Sequence, residues 1–367
     1  MRVLPNAERA PPTVAHVEPS SLPASLRSAE EREAADLDRS GRSAFDTRPW
    51  NAPHLVACLL VAATAVLLSF GALVTTYEAA MAVPDWPGTY GHNMFLFPLA
   101  EWLFGPWDLF LEHGHRLLGA TVGMITLVLA GLVWRRGTTP AVGALAIAAV
   151  VLVMVQGALG GARVLLDDRT IAKVHACTGP LFFAVAVALA MITRSRQPSE
   201  SQASATPTTT WTAVGLVVAC YMQLVAGAQL RHLDIGAAPA TFRALIVLHV
   251  AGAVAVLVLA ILASAPRTSA RPWALALLLS VCCQWALGLG TWIVTLGMPT
   301  GMVPEAWRPA VPLQARSGWG AAVVTGHVVL GMLILGMSVV VAIRCGVLQR
   351  VPRFGRHGDP ATQRRFA

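Results

Sequence analysis

The stretch EHGHRLLGATVGMITLVLAGLVWRR, residues 112–136, decides the fold. Between Arg116 and Arg135 it holds no charged side chain, close to the run of roughly 20 residues that a helix needs to cross a hydrocarbon core. It ends on the pair Arg135 and Arg136, the kind of flank that sets the orientation of a membrane helix. Seven further runs of this type give eight apolar segments, at 55–77, 109–133, 141–163, 171–193, 211–231, 242–264, 273–297 and 319–343. Only 13% of the 367 residues are charged and 55% are hydrophobic, whereas soluble domains carry about 25% charge. The sequence therefore reads as an all-α integral membrane protein and excludes a soluble domain, a coiled coil or a collagen. The net charge of +8 comes largely from arginines flanking apolar runs, so no nucleic-acid partner is expected.

Those arginines also give the topology. Arg135 and Arg136, Arg194 and Arg196, and Arg267 and Arg271 lie in the even connections, and a further set follows Arg344, while 78–108 contains no Lys or Arg. The bias of basic residues toward the cytoplasm places both termini there. The long connections 78–108 and 298–318 then face outward, with Trp86, Trp102, Trp107 and Trp307 as interfacial rings. The expected parts are a disordered tail at 1–50, a four-helix half at 51–194, a linker at 195–210, a second half at 211–345 and a cytoplasmic tail at 346–367. The first tail sets seven arginines against eight acidic residues, unlike an acid-poor mitochondrial transit peptide, so a bacterial cytoplasmic membrane is expected. Three odd segments share a Gln-x-x-x-Gly step, Gln156/Gly160, Gln223/Gly227 and Gln284/Gly288. The recurrence implies an internal duplication, with the halves as two pseudo-twofold-related four-helix bundles. Each Gln reads either as a hydrogen-bond donor in a packed seam or as part of a ligand pocket.

The even segments carry the chemistry. Each holds a histidine about five to nine residues inside its outer start: His115, His175, His249 and His327. Ionisable groups inside the bilayer mark function, and four at one depth favour ligation over packing. Gly119, Gly179, Gly252 and Gly331 follow within one turn, leaving room for a flat group. Zinc and copper sites recruit thiolates or carboxylates, but Cys58, Cys220, Cys282, Cys283 and Cys345 are scattered and only Cys177 lies near a histidine. Haem fits better, one imidazole coming from each of two helices. The expected pairs are His115 with His175 and His249 with His327. Arg163, Lys173, Arg231 and Arg243 are candidate propionate partners, the alternative being interfacial snorkelling. Glu112 lies three residues before His115 and shares its helical face; its alternatives are a helix-start charge or a pair with Arg116. His113 points elsewhere, and His16, His54, His92, His232 and His357 receive no role.

Val83-Pro84-Asp85-Trp86-Pro87, Glu112-x-x-His115-Arg116, the three later histidines and the Gln-x-x-x-Gly steps together resemble haem A synthase over residues 50–345. The resemblance implies oxidation of the C8 methyl of haem O to a formyl group, giving haem A for haem-copper terminal oxidases. It implies a substrate haem on His115 and His175 with Glu112 in catalysis, and an electron-passing haem b on His249 and His327. Expected partners are haem O, a haem O synthase and an electron donor, the lipid bilayer, and a second copy of the chain. Unlike some family members, this sequence has no cysteine in an outer loop; Val83, Thr89 and Tyr90 stand around the Trp motif. A six-coordinate substrate iron leaves no place for oxygen, so either a ligand departs or oxygen does not bind there. Rival classes are a two-haem cytochrome b without chemistry of its own, which has no use for Glu112, and a transporter, which needs interrupted helices.

Overall fold

The computed structural model describes residues 51–136, 138–194, 206–234, 236–297 and 317–347. The expectations for the 1–50 tail, most of the 195–210 linker, Trp307 and nearly all of the C-terminal tail lie outside the described residues. Among the described residues there are eight long helices: α1 Ala52–Thr76, α2 Trp107–Arg135, α3 Pro140–Leu166, α4 Arg169–Thr193, α5 Pro207–Arg231, α6 Pro239–Ser264, α7 Arg271–Leu296 and α8 Gly318–Arg344. No boundary differs from the sequence expectation by more than four residues. All eight are long and apolar enough to cross a membrane.

Local signals set the ends. Asn51, Asp168, Thr206 and Ser317 cap α1, α4, α5 and α8 by accepting a main-chain N–H, and prolines open α3, α5 and α6, where their missing donor costs nothing. Asp167, at φ 47°, turns α3 into α4. Beyond the caps, apolar residues sit on the outer faces as well as the inner ones. Val128, Met154, Val247 and Leu279 are exposed, as expected of helices whose second solvent is lipid.

Packing closes each half on itself. In the first, α1 packs on α2 and α4, and α3 on α2 and α4; in the second, α5 packs on α6 and α8, and α7 on α6 and α8. The first core is built on Leu60, Val122, Leu129, Phe182 and Leu189, the second on Leu216, Leu277, Ile334 and Leu335. The halves meet where α8 lies against α1 and α4 and where α4 meets α5. There Phe183, Val187 and Val340 form a shared seam, and the Tyr221 hydroxyl donates to the Cys177 carbonyl at 3.3 Å.

The connection between α1 and α2 is folded rather than loose. It contains a tight turn with paired Thr89 and His92, a 3₁₀ turn at Met94–Leu96 and a short helix at Leu99–Phe104. Tyr90 and Gly91, at φ 49° and 78°, make the turn; two successive positive φ angles suit a turn of the primed type.

Candidate functional site

The four even-helix histidines meet in two pairs. Each lies six to ten residues beyond the start of its helix, on α2, α4, α6 and α8. His115 and His175 have ring centroids 6.4 Å apart with an interplanar angle of 79°. His249 and His327 have centroids 6.3 Å apart at 65°. With each imidazole nitrogen about 2 Å from a first-row metal, and each ring centre about 1 Å further, the centres fall about 6 Å apart. Both pairs therefore fit one iron held between two imidazoles. Among the described residues no group of three or more His, Cys, Asp or Glu side chains comes together, so the zinc- and copper-type donor sets, already disfavoured by the cysteine positions, are not assembled.

Each ring is seated against a glycine of the neighbouring odd helix. A Cβ on Gly71 would lie 3.0 Å from His115 Cε1, on Gly160 3.3 Å from His175 Cε1, on Gly227 3.2 Å from His249 Cε1 and on Gly288 3.1 Å from His327 Cε1. The same glycine thus recurs four times, three times in the Gln-x-x-x-Gly step and once, at Gly71, without the glutamine. Side chains at these positions would press the imidazoles away from their partners.

The glutamines settle between the alternatives left open by the sequence. Gln156 Nε2 donates to the His175 carbonyl at 3.3 Å, Gln223 Nε2 to the His249 carbonyl and Gln284 Nε2 to the His327 carbonyl, both at 2.8 Å. Gln156 also bonds the Thr178 hydroxyl, and Gln223 Nε2 lies 3.2 Å from His249 Nδ1. They are seam braces. At Gly252, Gly331 and Gly179 this corrects the reading of the following glycines as room for a flat group, while at Gly119 a Cβ would meet nothing within 4 Å. Gly252 and Gly331 face the amides of Gln223 and Gln284, and Gly179 faces Leu68 with the Gln156 amide beyond; the space there goes to the neighbouring helix. The rings of His115, His175 and His327 lie toward the main chain of Leu67, Gln156 and Gln284, yet Nδ1 of each completes no hydrogen bond.

Glu112 is buried at 1% exposure, at the start of α2. Its Oε1 pairs with Arg116 at 2.9 Å and its Oε2 accepts the Val83 N–H at 3.0 Å. Arg116 also donates to the carbonyls of Val83, Asp85 and Gly88 at 2.7, 2.6 and 2.9 Å. One buried ion pair therefore fastens the Val-Pro-Asp-Trp-Pro loop to the helix that carries His115. The Asp85 carboxylate accepts from Tyr90 N–H and Gly91 N–H at 2.8 and 2.9 Å. Desolvation pushes that carboxyl up, but the N–H donors and the Arg116 charge outweigh it and hold it below the ordinary carboxylate range. His113 closes the arrangement from behind: Nδ1 lies 2.9 Å from the Thr89 hydroxyl, and the ring packs on Phe97 and edge-on to Trp102. It takes no part in the histidine pairs.

The tryptophans of this connection also make packing contacts. The indole of Trp86 presses on α3 at Gly161, where a Cβ would meet its ring carbons at 2.5 Å. That is the residue next to the one seating His175. Trp102 donates its indole N–H to Phe110 O at 3.2 Å and stacks on Phe110. Trp86 and Trp107 nonetheless remain 41% and 51% exposed.

Of the four cations, three converge. Arg163 is near enough to His115 and His175 to act on both electrostatically, and Arg231 acts on His327. Arg231 Nη2 also crosses to the first half, donating to Ala72 O at 2.9 Å and Thr76 Oγ1 at 2.7 Å. Lys173 joins them around His232, while Arg243 is exposed. His232, given no role from sequence, sits among these charges. Desolvation, then Arg231, Arg163 and Lys173, pull its imidazole down to about 4, so it is neutral at pH 7. Its one sequence signal was adjacency to Arg231 at a helix end.

The arrangement is two histidine pairs, a cluster of cations around His232 and a buried carboxylate three residues before one of the histidines. Residues 106–246 match the model of the COX15-CtaA family, described as cytochrome oxidase assembly protein. No curated protein matches the chain.

Proposed function

We propose, from the match of residues 106–246 to the COX15-CtaA model of cytochrome oxidase assembly proteins, that this membrane protein is a haem A synthase. The reaction is a four-electron oxidation that replaces two hydrogens of the C8 methyl of haem O by one oxygen atom from dioxygen or water, leaving a formyl group and passing the electrons to an external acceptor. His115 and His175 hold the substrate haem. His249 and His327 hold a haem b, which supplies one-electron chemistry when bound. Arg163, Lys173 and Arg231 receive propionates, with Arg243 a more distant candidate. Both termini face the cytoplasm of a bacterial cell and the site lies toward the outer face of its inner membrane.

The observation that carries this reading is the asymmetry between two equivalent seats. Both pairs have the same ring spacing, but only His115 has a carboxylate one turn before it on its own helix, buried and held on both oxygens. An electron-carrying haem needs no such group. A carboxylate fixed by Arg116 and a main-chain N–H costs no reorganisation when positive charge develops at the methyl carbon.

The test is expression of the full chain with a haem O-producing enzyme, followed by mass identification of the extracted haems. The formyl product is expected in the wild type and lost in Glu112→Ala with haem b retained. Haem b is lost in His249→Ala or His327→Ala and kept in His115→Ala. Haems retained without any formyl product in the wild type would leave the electron-transfer cytochrome as the better reading.

A further inference from the structure

The four ligand seats are built to one plan and one of them departs from it. In every seat a glycine of the odd helix lies under the imidazole. In three, the residue four positions before that glycine is a glutamine whose amide donates to the main-chain carbonyl of the ligand histidine. In the fourth the position is Leu67, four before Gly71, and it has no donor to give His115. The receiving side is also different. A Cβ on Gly119, one turn after His115, meets no atom within 4 Å, whereas the glycines after His249 and His327 face the bracing amides themselves. The α1–α2 seat therefore has the shape of the others without the brace.

We propose that His115 is the axial ligand that releases the substrate iron, and that Leu67 is the positioning residue that makes it the weaker of the pair. This rests on the assignment of His115 and His175 to the substrate haem. His175 is tied twice, through Gln156 to its carbonyl and to Thr178 one turn segment further on. On this arrangement the iron stays with α4 while α2 gives way. Release on the α2 side opens the iron on the side of the helix that carries Glu112. It also gives the bound porphyrin a way to be exchanged, which a resident haem b, braced on both sides by Gln223 and Gln284, does not need.

The probe is carbon monoxide. Full-length protein, purified in detergent from cells making haem O, is reduced and titrated with CO while haem per chain is measured separately. In the wild type CO binds at the first-half haem only. Leu67→Gln supplies the amide that the other three seats have and adds one hydrogen bond, so CO binding weakens by up to about tenfold with both haems kept. Leu67→Met, similar in volume and without an amide, behaves as the wild type. In the reverse direction, Gln284→Leu confers CO binding on the second-half haem. Leu67→Gln with both haems and wild-type CO affinity overturns the proposal. If that variant fails to hold haem, Gln284→Leu decides: acquired CO binding supports the proposal and none overturns it. Haem content untouched by alanine at all four histidines would instead overturn the functional assignment, whatever the CO result.

Discussion

Replacing Gly288 by alanine tests the ligand seats most directly. The added Cβ would stand 3.1 Å from His327 Cε1, whereas carbon atoms rest at about 3.5–4.0 Å. The ring, wedged between α7 and α8, must retreat by about 0.4–0.9 Å, while metal–ligand distances tolerate only about 0.2 Å. Haem affinity at the second seat should fall by about 10–100-fold, the range found when groups supporting a metal ligand are disturbed. Alanine is a better helix former than glycine, so a loss would not come from a weaker α7. The assay is haem content per chain and the absorption spectrum of the purified protein, with the first-half haem expected to remain. Gly157→Ala, in α3 where a Cβ meets nothing within 4 Å, serves as the control and should keep both haems. A Gly288→Ala protein with full haem content and an unchanged spectrum would refute the reasoning, showing that the ring can yield without losing iron.

Three other outcomes follow from the loop that covers the first seat. Gly161→Ala puts a Cβ 2.5 Å from the Trp86 ring, so Trp86 must leave α3; chymotrypsin cleavage of the 77–92 segment should accelerate while haem b is unchanged. Arg116→Met removes the partner of a buried Glu112 and three carbonyl contacts, at a cost of about 3–5 kcal/mol, read as a lowered thermal midpoint in detergent; an unchanged midpoint would contradict the anchoring role. Asp85 has a folded-state pKa below its unfolded one, so its hold on the loop is complete above about pH 4 and is lost as pH falls through the lowered value. The protection of the Tyr90 and Gly91 amides from exchange, relative to the intrinsic rate at each pH, should fall on acidification below about pH 4, and already at pH 7 in Asp85→Asn.

The resemblance was readable because its motifs are ordered along the chain, and residues 106–246 match the COX15-CtaA family model. The covering loop was less legible. That Arg116 reaches three carbonyls of residues 83–88 depends on how the chain doubles back over α2. The Glu112–Arg116 pair was one of the alternatives the spacing allowed, since i and i+4 share a face; its part in fastening the loop was not.

By itself the sequence determined what depends on neighbours along the chain. Apolar run length set eight spans to within four residues, helical periodicity put Glu112 on the face of His115, and the depth of each histidine followed from the helix starts. Tertiary structure decided which surfaces meet. It paired the rings at 6.4 and 6.3 Å, turned the recurring glutamines into braces on the histidine carbonyls, gave Gly252 and Gly331 to two of those amides, and brought Arg231 across to Ala72 in the other half. A lone glycine or glutamine reads the same in any apolar helix. Only the close approach of a second helix gives the missing Cβ or the spare amide a definite partner, and that approach is fixed by packing between segments far apart in sequence.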